Sequence, residues 1–349
     1  MSQATSHGNP SKNANIAAST SELERGKSFD LGSVYAPIQG ELDAVESTLR
    51  TELTSDTPFM NQFLEHSWTL GGKRIRPALL LLTAASCGKI TEPHRQMAAS
   101  LELIHTATLI HDDILDNADT RRHRATANSK WGNRVSLLLG DYLFTHSFHL
   151  ASLAGSAEAL QMLAQASNRV CEGEMRQNAW QGDFDLTEKS YLRMITEKTA
   201  ELCGVGCRIG AFLSGADAES QAGFESYGRN LGVAFQIIDD VLDVVGEPDD
   251  VGKTLGTDLI NQKPTLPVIH CLEQSSPDDR ATLLQMLVDQ DTTADDILPY
   301  LTNTHSIGYA RQIAQHHARR AVSFTHSLEA NAYAASLGQL AEFVLQRTQ

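Results

Sequence analysis

The sequence predicts an all-α protein in which mostly antiparallel helices surround a central cavity, and three observations carry that expectation. No proline occurs between Pro93 and Pro248, and through that stretch apolar residues recur at three- and four-residue spacing. The alternating runs that make half-buried strands are not evident. Breaks at Gly88-Lys89, Ala154-Gly155-Ser156, Gly182-Asp183 and Ser214-Gly215-Ala216 cut the periodic stretch into helices with brief connections.

Taken in order, residues 1–30 are rich in Ser, Asn, Ala and Thr and read as a disordered tail. Residues 31–349 read as one domain, and with 41% of the chain apolar there is material for a core. Met97, Leu101, Ile104 and Thr108 make one helical stripe, and Leu231, Phe235, Ile238 and Leu242 make another. No window reaches the roughly eighteen unbroken apolar residues of a membrane span and no apolar leader opens the chain, so a cytoplasmic protein that does not span a membrane is expected. Cys87, Cys171, Cys203, Cys207 and Cys271 follow no zinc or redox spacing and are expected as buried thiols in a reducing cytosol. His305, His316, His317 and His326 likewise show no ligand spacing and read as helical scaffold. The formal charge of −15 argues against a nucleic-acid partner, so an anionic substrate would have to be held by metals and local basic residues.

Each stripe carries an Asp-Asp-x-x-Asp cluster, Asp112, Asp113 and Asp116 in the first and Asp239, Asp240 and Asp243 in the second. By chance such a triple would occur about 0.1 times in a chain of this length. On a helix the first and last aspartates share a face and the middle one flanks them. Carboxylates a few ångströms apart repel by roughly 4 kcal/mol per pair at an effective dielectric near 20, so they call for cations. Oxygen-only ligands favour hard ions, and Mg²⁺ is usually shared between one or two carboxylates and the phosphates of a substrate. A magnesium-bound diphosphate follows.

The surroundings suit that anion. Leu70-Gly71-Gly72-Lys73-Arg74-Ile75-Arg76-Pro77 is a glycine-hinged loop with three cations, although an ordinary basic surface loop would read the same. Arg121, Arg122, His123 and Arg124 follow the first cluster, Lys198 and Thr199 sit in a helical stretch, and Gln236 lies one turn before the second cluster. Lys253 and Lys263 fall in a lid-like segment after it; its Gly-Lys-Thr is not a nucleotide loop, because Glu247 stands where that motif needs glycine.

In this order, Gly-Gly-Lys-Arg-Ile-Arg-Pro, His-Asp-Asp-Ile-Leu-Asp with Arg-Arg, Lys-Thr-Ala, Phe-Gln-Ile-Ile-Asp-Asp-Val-Leu-Asp and Lys-Pro-Thr-Leu-Pro, the motifs from Leu70 to Pro267 resemble the trans-polyprenyl diphosphate synthases. The resemblance implies an isoprenoid synthase-type helical bundle, usually a homodimer, that condenses isopentenyl diphosphate with an allylic prenyl diphosphate. It implies that Asp112, Asp116 and Asp239 hold Mg²⁺, three ions per site, with Asp113, Asp240 and Asp243 completing the rims. Arg121, Lys198, Thr199, Gln236, Lys253 and Lys263 would contact the allylic substrate, and Lys73, Arg76, His105 and Arg122 the isopentenyl diphosphate. His105 stands seven residues before Asp112, almost on the same helical face. Two positions depart from the family: His123 and Gln262 stand where glycine is common, which would be strained if either needs positive φ.

Ionisation of the allylic C–O bond, attack by the isopentenyl double bond and proton loss to the departing diphosphate would extend the chain by one unit. In this family the residues at Ala107 and Thr108 floor the product pocket when bulky. The segment Leu103–His111 most resembles octaprenyl- and heptaprenyl-type enzymes, so a medium or long product, delivered to a membrane, is expected. A shorter-chain farnesyl or geranylgeranyl synthase and a subunit of a heteromeric synthase stay open. A terpene cyclase would leave Lys73, Arg76 and Arg122 without a use, and a head-to-head synthase would lack the Gly-Gly-Lys-Arg-Ile-Arg-Pro loop.

Overall fold

The computed structural model describes residues 30–69, 72–122, 124–246, 256–289 and 291–347. The expected tail falls outside these residues except for Asp30, as do Leu70, Gly71, His123, Lys253 and Thr254. Two compact units divide between Ser33 and Val34. In the first, the Asp30 carboxylate accepts from the amides of Gly32 (2.9 Å) and Ser33 (3.2 Å) and so opens a helical turn.

The second unit is helical, as the sequence predicts. Its elements are α1 (Gln39–Glu52), α2 (Pro58–Thr69), α3 (Ile75–Cys87), α4 (Glu92–Leu115), β1 (Thr120–Arg121), β2 (Arg124–Ala125), α5 (Ala127–Trp131), α6 (Asn133–Leu153) and α7 (Ala157–Ala179). There follow α8 (Glu188–Ile195), a π-helical turn (Thr196–Ala200), α9 (Glu201–Leu213), α10 (Ala218–Val245), α11 (Thr257–Ile260), α12 (Leu266–Gln274), α13 (Pro277–Val288), α14 (Ala294–Asn303), α15 (Ser306–Thr325) and α16 (Ala332–Arg347). Among the described residues the antiparallel pair β1–β2 is the one departure from an all-helical reading, two residues on each side, and it follows the first aspartate cluster.

Local chemistry sets the helix ends that matter. Thr91 and His94 form a reciprocal capping box at the start of α4, with Pro93 in its first turn, so this helix begins where the sequence offers a donor-free residue. Asp217 caps α10 by accepting from the Ser220 amide at 2.8 Å. The glycine-bearing breaks read from the sequence are the loops between α3 and α4, α6 and α7, α7 and α8, and α9 and α10. α3 buries every residue from Pro77 to Ala84, which is why its sequence reads apolar all round rather than striped. α4 packs along α6, while α9 lies against both α3 and α10, and α10 also packs on α15. Cys203, Cys207 and Cys271 are buried as expected, but Cys87 is only partly covered and Cys171 is exposed on α7.

His317 of α15 pairs its Nδ1 with Asn230 Oδ1 of α10 at 2.9 Å. Burial, aided by the charges of His316 and Arg320, lowers its pKa from 6.5 to about 4. The unfolded chain therefore binds this proton first, and the stability that His317 contributes is lost as pH falls from 6.5 toward about 4. His317→Gln should flatten the fall of the urea midpoint across that window, and an unchanged slope would count against the assignment.

Candidate active site

A cavity of roughly 1240 Å³ lies among α3, α4, α7, the π-turn, α9 and α10. The two aspartate clusters face it unequally. Asp112 and Asp116 line it from the end of α4, and Asp239 and Asp240 from α10. Asp113 and Asp243, at 1% and 0% exposure, stand behind the wall. Asp113 Oδ1 accepts from Arg121 Nε and Nη2, both at 2.8 Å, and burial pushes its pKa up to about 6 against the pull of that guanidinium. Asp243 Oδ2 accepts from the Asp258 amide at 2.9 Å, and so ties α10 to the start of α11.

The cavity carboxylates meet lysines. Lys198 Nζ lies 2.5 Å from Glu174 Oε2 and 3.7 Å from Asp112 Oδ1. Burial opposes the charge on Lys198, but Asp112 and Glu174 outweigh it and leave the pKa raised. Burial and the Asp112 charge raise Glu174 in turn, with Lys198 pulling the other way. Lys263 Nζ reaches Asp116 at 2.7 and 2.9 Å and lies 3.9 Å from Asp258. Two ammonium groups thus sit against oxygens that favour a cation.

Lys198 and Thr199 are presented by the π-turn, whose extra residue rotates the helix locally. The turn is gripped from both sides, since a Cβ on Gly173 would meet Lys198 N at 2.5 Å and one on Gly232 would meet Ala200 Cα at 2.6 Å. Thr199 Oγ1 donates to Gln236 Oε1 (2.8 Å), and Gln236 Nε2 donates to Asp240 Oδ1 (2.7 Å). Tyr191 donates its hydroxyl to Asp240 Oδ2 at 2.6 Å, and burial with the Asp240 charge raises its pKa well above the ordinary value. This chain fixes the second wall.

Another part of the cavity is basic. Lys73, Arg76, His105 and Arg122 line it, and Lys73 is exposed with its ammonium 5.8 Å from the Phe343 ring centre. Arg76 Nε is buried without a hydrogen-bond partner. Burial, then the charges of Arg76, Arg122, Arg121 and Arg74, hold His105 well below the usual imidazole range and therefore neutral near pH 7. Of the positions where glycine was expected, Gln262 has φ 50°, the left-handed conformation the departure warned of, and its carbonyl accepts from the Gly182 amide at 2.9 Å. Thr108 lines the cavity one turn before Asp112, whereas Ala107 is fully buried behind it.

Glu174, Asp258 and Tyr191 join the site without having been read from the sequence. The signal that could have found Glu174 is Gly173, a glycine interior to a helix, which marks a close approach. Asp258 had a weaker signal, six residues before a proline in the lid-like segment, and Tyr191 had none.

Aspartates facing lysines, arginines around a neutral histidine and apolar side chains thus line one cavity, a lining suited to an enzyme of anionic substrates with apolar tails. The polyprenyl synthetase family model matches residues 57–304. The chain is 36% identical over 310 residues to the octaprenyl diphosphate synthase of Escherichia coli, covering 88% of this chain and 96% of that protein. It is 30% identical over 313 residues to heptaprenyl diphosphate synthase component 2 of Bacillus subtilis, covering 90% of each. A polyprenyl synthase of Caulobacter crescentus, crystallised with calcium and isoprenyl diphosphate, superposes with a TM-score of 0.86 at 31% identity, covering 93% of this chain and 100% of the other. The chain belongs to the polyprenyl synthetase family, and it is a prenyltransferase.

Proposed function

We propose that the chain makes an all-trans product of medium to long length, of the heptaprenyl to octaprenyl class, from isopentenyl diphosphate and an allylic diphosphate. The observation that supports the condensation is that Asp112–Lys198, Asp116–Lys263, Asp239 and Asp240 line one cavity together with Arg76, Arg122 and His105, and the small Thr108 in the same lining supports the length. Asp112, Asp116 and Asp239 would hold Mg²⁺, three ions per site being the family expectation; among the described residues no three acidic, histidine or cysteine side chains are gathered tightly enough to hold a metal by themselves, which fits ions shared with the substrate's phosphates, and when bound Mg²⁺ supplies positive charge to the leaving diphosphate. Lys198 and Lys263, already facing those carboxylates, bind the same diphosphate, with Arg121 held ready by Asp113. Gln236 and Tyr191 orient Asp240, and Gln236 orients Thr199.

Lys73, Arg76, Arg122 and neutral His105 hold the isopentenyl diphosphate, whose double bond attacks the allylic cation left when the C–O bond ionises and its electron pair departs with the diphosphate. The new C–C bond leaves a cation that loses a proton to the departing diphosphate, so charge and atoms balance without a side-chain base. The apolar wall excludes water that would capture the cation. Among the described residues no helix is long and apolar enough to cross a membrane. The protein works in the cytoplasm as a homodimer and releases its product to a membrane.

Incubating the purified chain alone with Mg²⁺, isopentenyl diphosphate and farnesyl diphosphate should consume isopentenyl diphosphate and give products longer than geranylgeranyl. No consumption by the lone chain would reject the reading, and products that stop at geranylgeranyl would reject the length.

A further inference from the structure

Glu102 is a buried carboxylate, 3% exposed, that no step above uses, and it stands at the basic end of the cavity. It lies one turn before His105 on α4 and accepts from Arg74 Nη1 at 2.7 Å. Arg74 is held from a second side by Glu46, at 2.5 Å from its Nε, and its guanidinium lies 4.9 Å from the Trp68 ring centre. Three groups thus fix one arginine. Its backbone is left-handed, φ 52°, which is unfavourable for a residue with a Cβ, so the conformation must be held by what the side chain touches.

The position of Arg74 gives this clamp its leverage. It is the N-cap of α3, so its φ and ψ set how Lys73 leaves the helix and where Arg76 enters it. Two residues earlier the backbone runs against Arg122 so closely that a Cβ on Gly72 would meet the guanidinium nitrogens at 2.5 Å. Movement of the loop therefore displaces Arg122 as well as Lys73 and Arg76. Glu102 also supplies negative charge to Arg122, which otherwise faces Arg121, Arg74 and Arg76.

We infer that Glu102 is a positioning residue for the isopentenyl diphosphate end of the cavity: by clamping Arg74 it fixes the loop that carries Lys73 and Arg76 and seats Arg122. The inference rests on the assignment of that end of the cavity made above. Arg74 lines the cavity beside Lys73 and Arg76, but its guanidinium is held by two carboxylates, so on this assignment it positions the loop and the other two bind the anion.

KM for isopentenyl diphosphate and KM for farnesyl diphosphate, measured separately, test this. Glu102→Gln and Arg74→Gln should each raise the first roughly tenfold or more, leave the second within about twofold, and change kcat little. Glu46→Gln, at the more exposed of the two carboxylates, should raise it less than about threefold. Arg76→Ala tests the site itself and should also raise KM for isopentenyl diphosphate. If Arg76→Ala does so while Glu102→Gln and Arg74→Gln do not, the positioning role is wrong and the site stands. If Arg76→Ala leaves that KM unchanged, the site assignment fails. An equal rise in both KM values, or a loss confined to kcat, overturns the inference; should Glu102→Gln lose its helical circular dichroism, Arg74→Gln carries the same test.

Discussion

Asp112→Asn lowers kcat at least about 10³-fold while the melting temperature moves by less than about 2 °C. Asp112 lines the cavity from the last turn of α4, where its carboxylate faces the Lys198 ammonium at 3.7 Å. On the assignment proposed above, neutralising it removes a cation ligand and a full negative charge from the place where the leaving diphosphate would be held. The fold hardly notices, because Lys198 keeps Glu174 at 2.5 Å and the lost pair, long and partly exposed, is worth about 0.5 kcal/mol or less. The neighbouring Asp113→Asn separates the two roles within one cluster. Asp113 lies behind the wall and holds Arg121, so its neutralisation should cost roughly tenfold in rate through a loosened arginine rather than a lost metal ligand. Steady-state rates at saturating Mg²⁺ read both variants. If Asp112→Asn keeps a tenth of the wild-type kcat, or if Asp113→Asn is the more damaging, the assignment of faces is wrong.

That division was only half legible in the sequence. Helical periodicity puts Asp112 and Asp116 on one face and makes Asp113 the flanking member, as found. The same rule applied to Asp239, Asp240 and Asp243 fails at the last: Asp243 is fully buried, and its carboxylate accepts from the Asp258 amide at the start of α11 instead of facing the cavity. Spacing along one helix cannot know what packs against that helix. The loop cations show the same limit, since Arg74 and Arg76 are equivalent in sequence and are distinguished by what packs on Arg74 from other helices, Glu46, Trp68 and the buried Glu102. Glu174 is the plainest omission. It lies between Glu172 and Arg176 in a run that reads as a solvated charged face, and it joins the site because Gly173 lets α7 lie against the π-turn that carries Lys198. The helices and their breaks were legible, because proline, glycine and apolar spacing act locally; pairing across elements does not.

The same difference between spacing and contact separates the two residues proposed to limit product length. Ala107 and Thr108 are adjacent and both small, and the sequence offers them as equal candidates for the pocket floor. They point to different places. Ser100 donates to the Ser147 carbonyl of α6 at 2.6 Å, and His111 reaches the Leu137 carbonyl of α6 at 3.3 Å. Ala107 lies seven residues after the first and four before the second, hence on the face packed against α6, and it is fully buried. Thr108 is turned about 100° from it, onto the face of Asp112, and lines the cavity. Thr108→Tyr therefore places a ring in the path of the growing tail one turn below the diphosphate. The expected product falls to farnesyl or geranylgeranyl length, with turnover of the first condensation retained because no charged group has moved. Ala107→Phe instead forces a ring between α4 and α6 and should destabilise the protein by about 1–3 kcal/mol, with a smaller effect on length. Product sizing by chromatography and urea midpoints read the two outcomes independently. A Thr108→Tyr enzyme that still makes the wild-type product would mean that the tail does not descend along α4, since a tyrosine at a wall position cannot be passed by a chain that must run beside it.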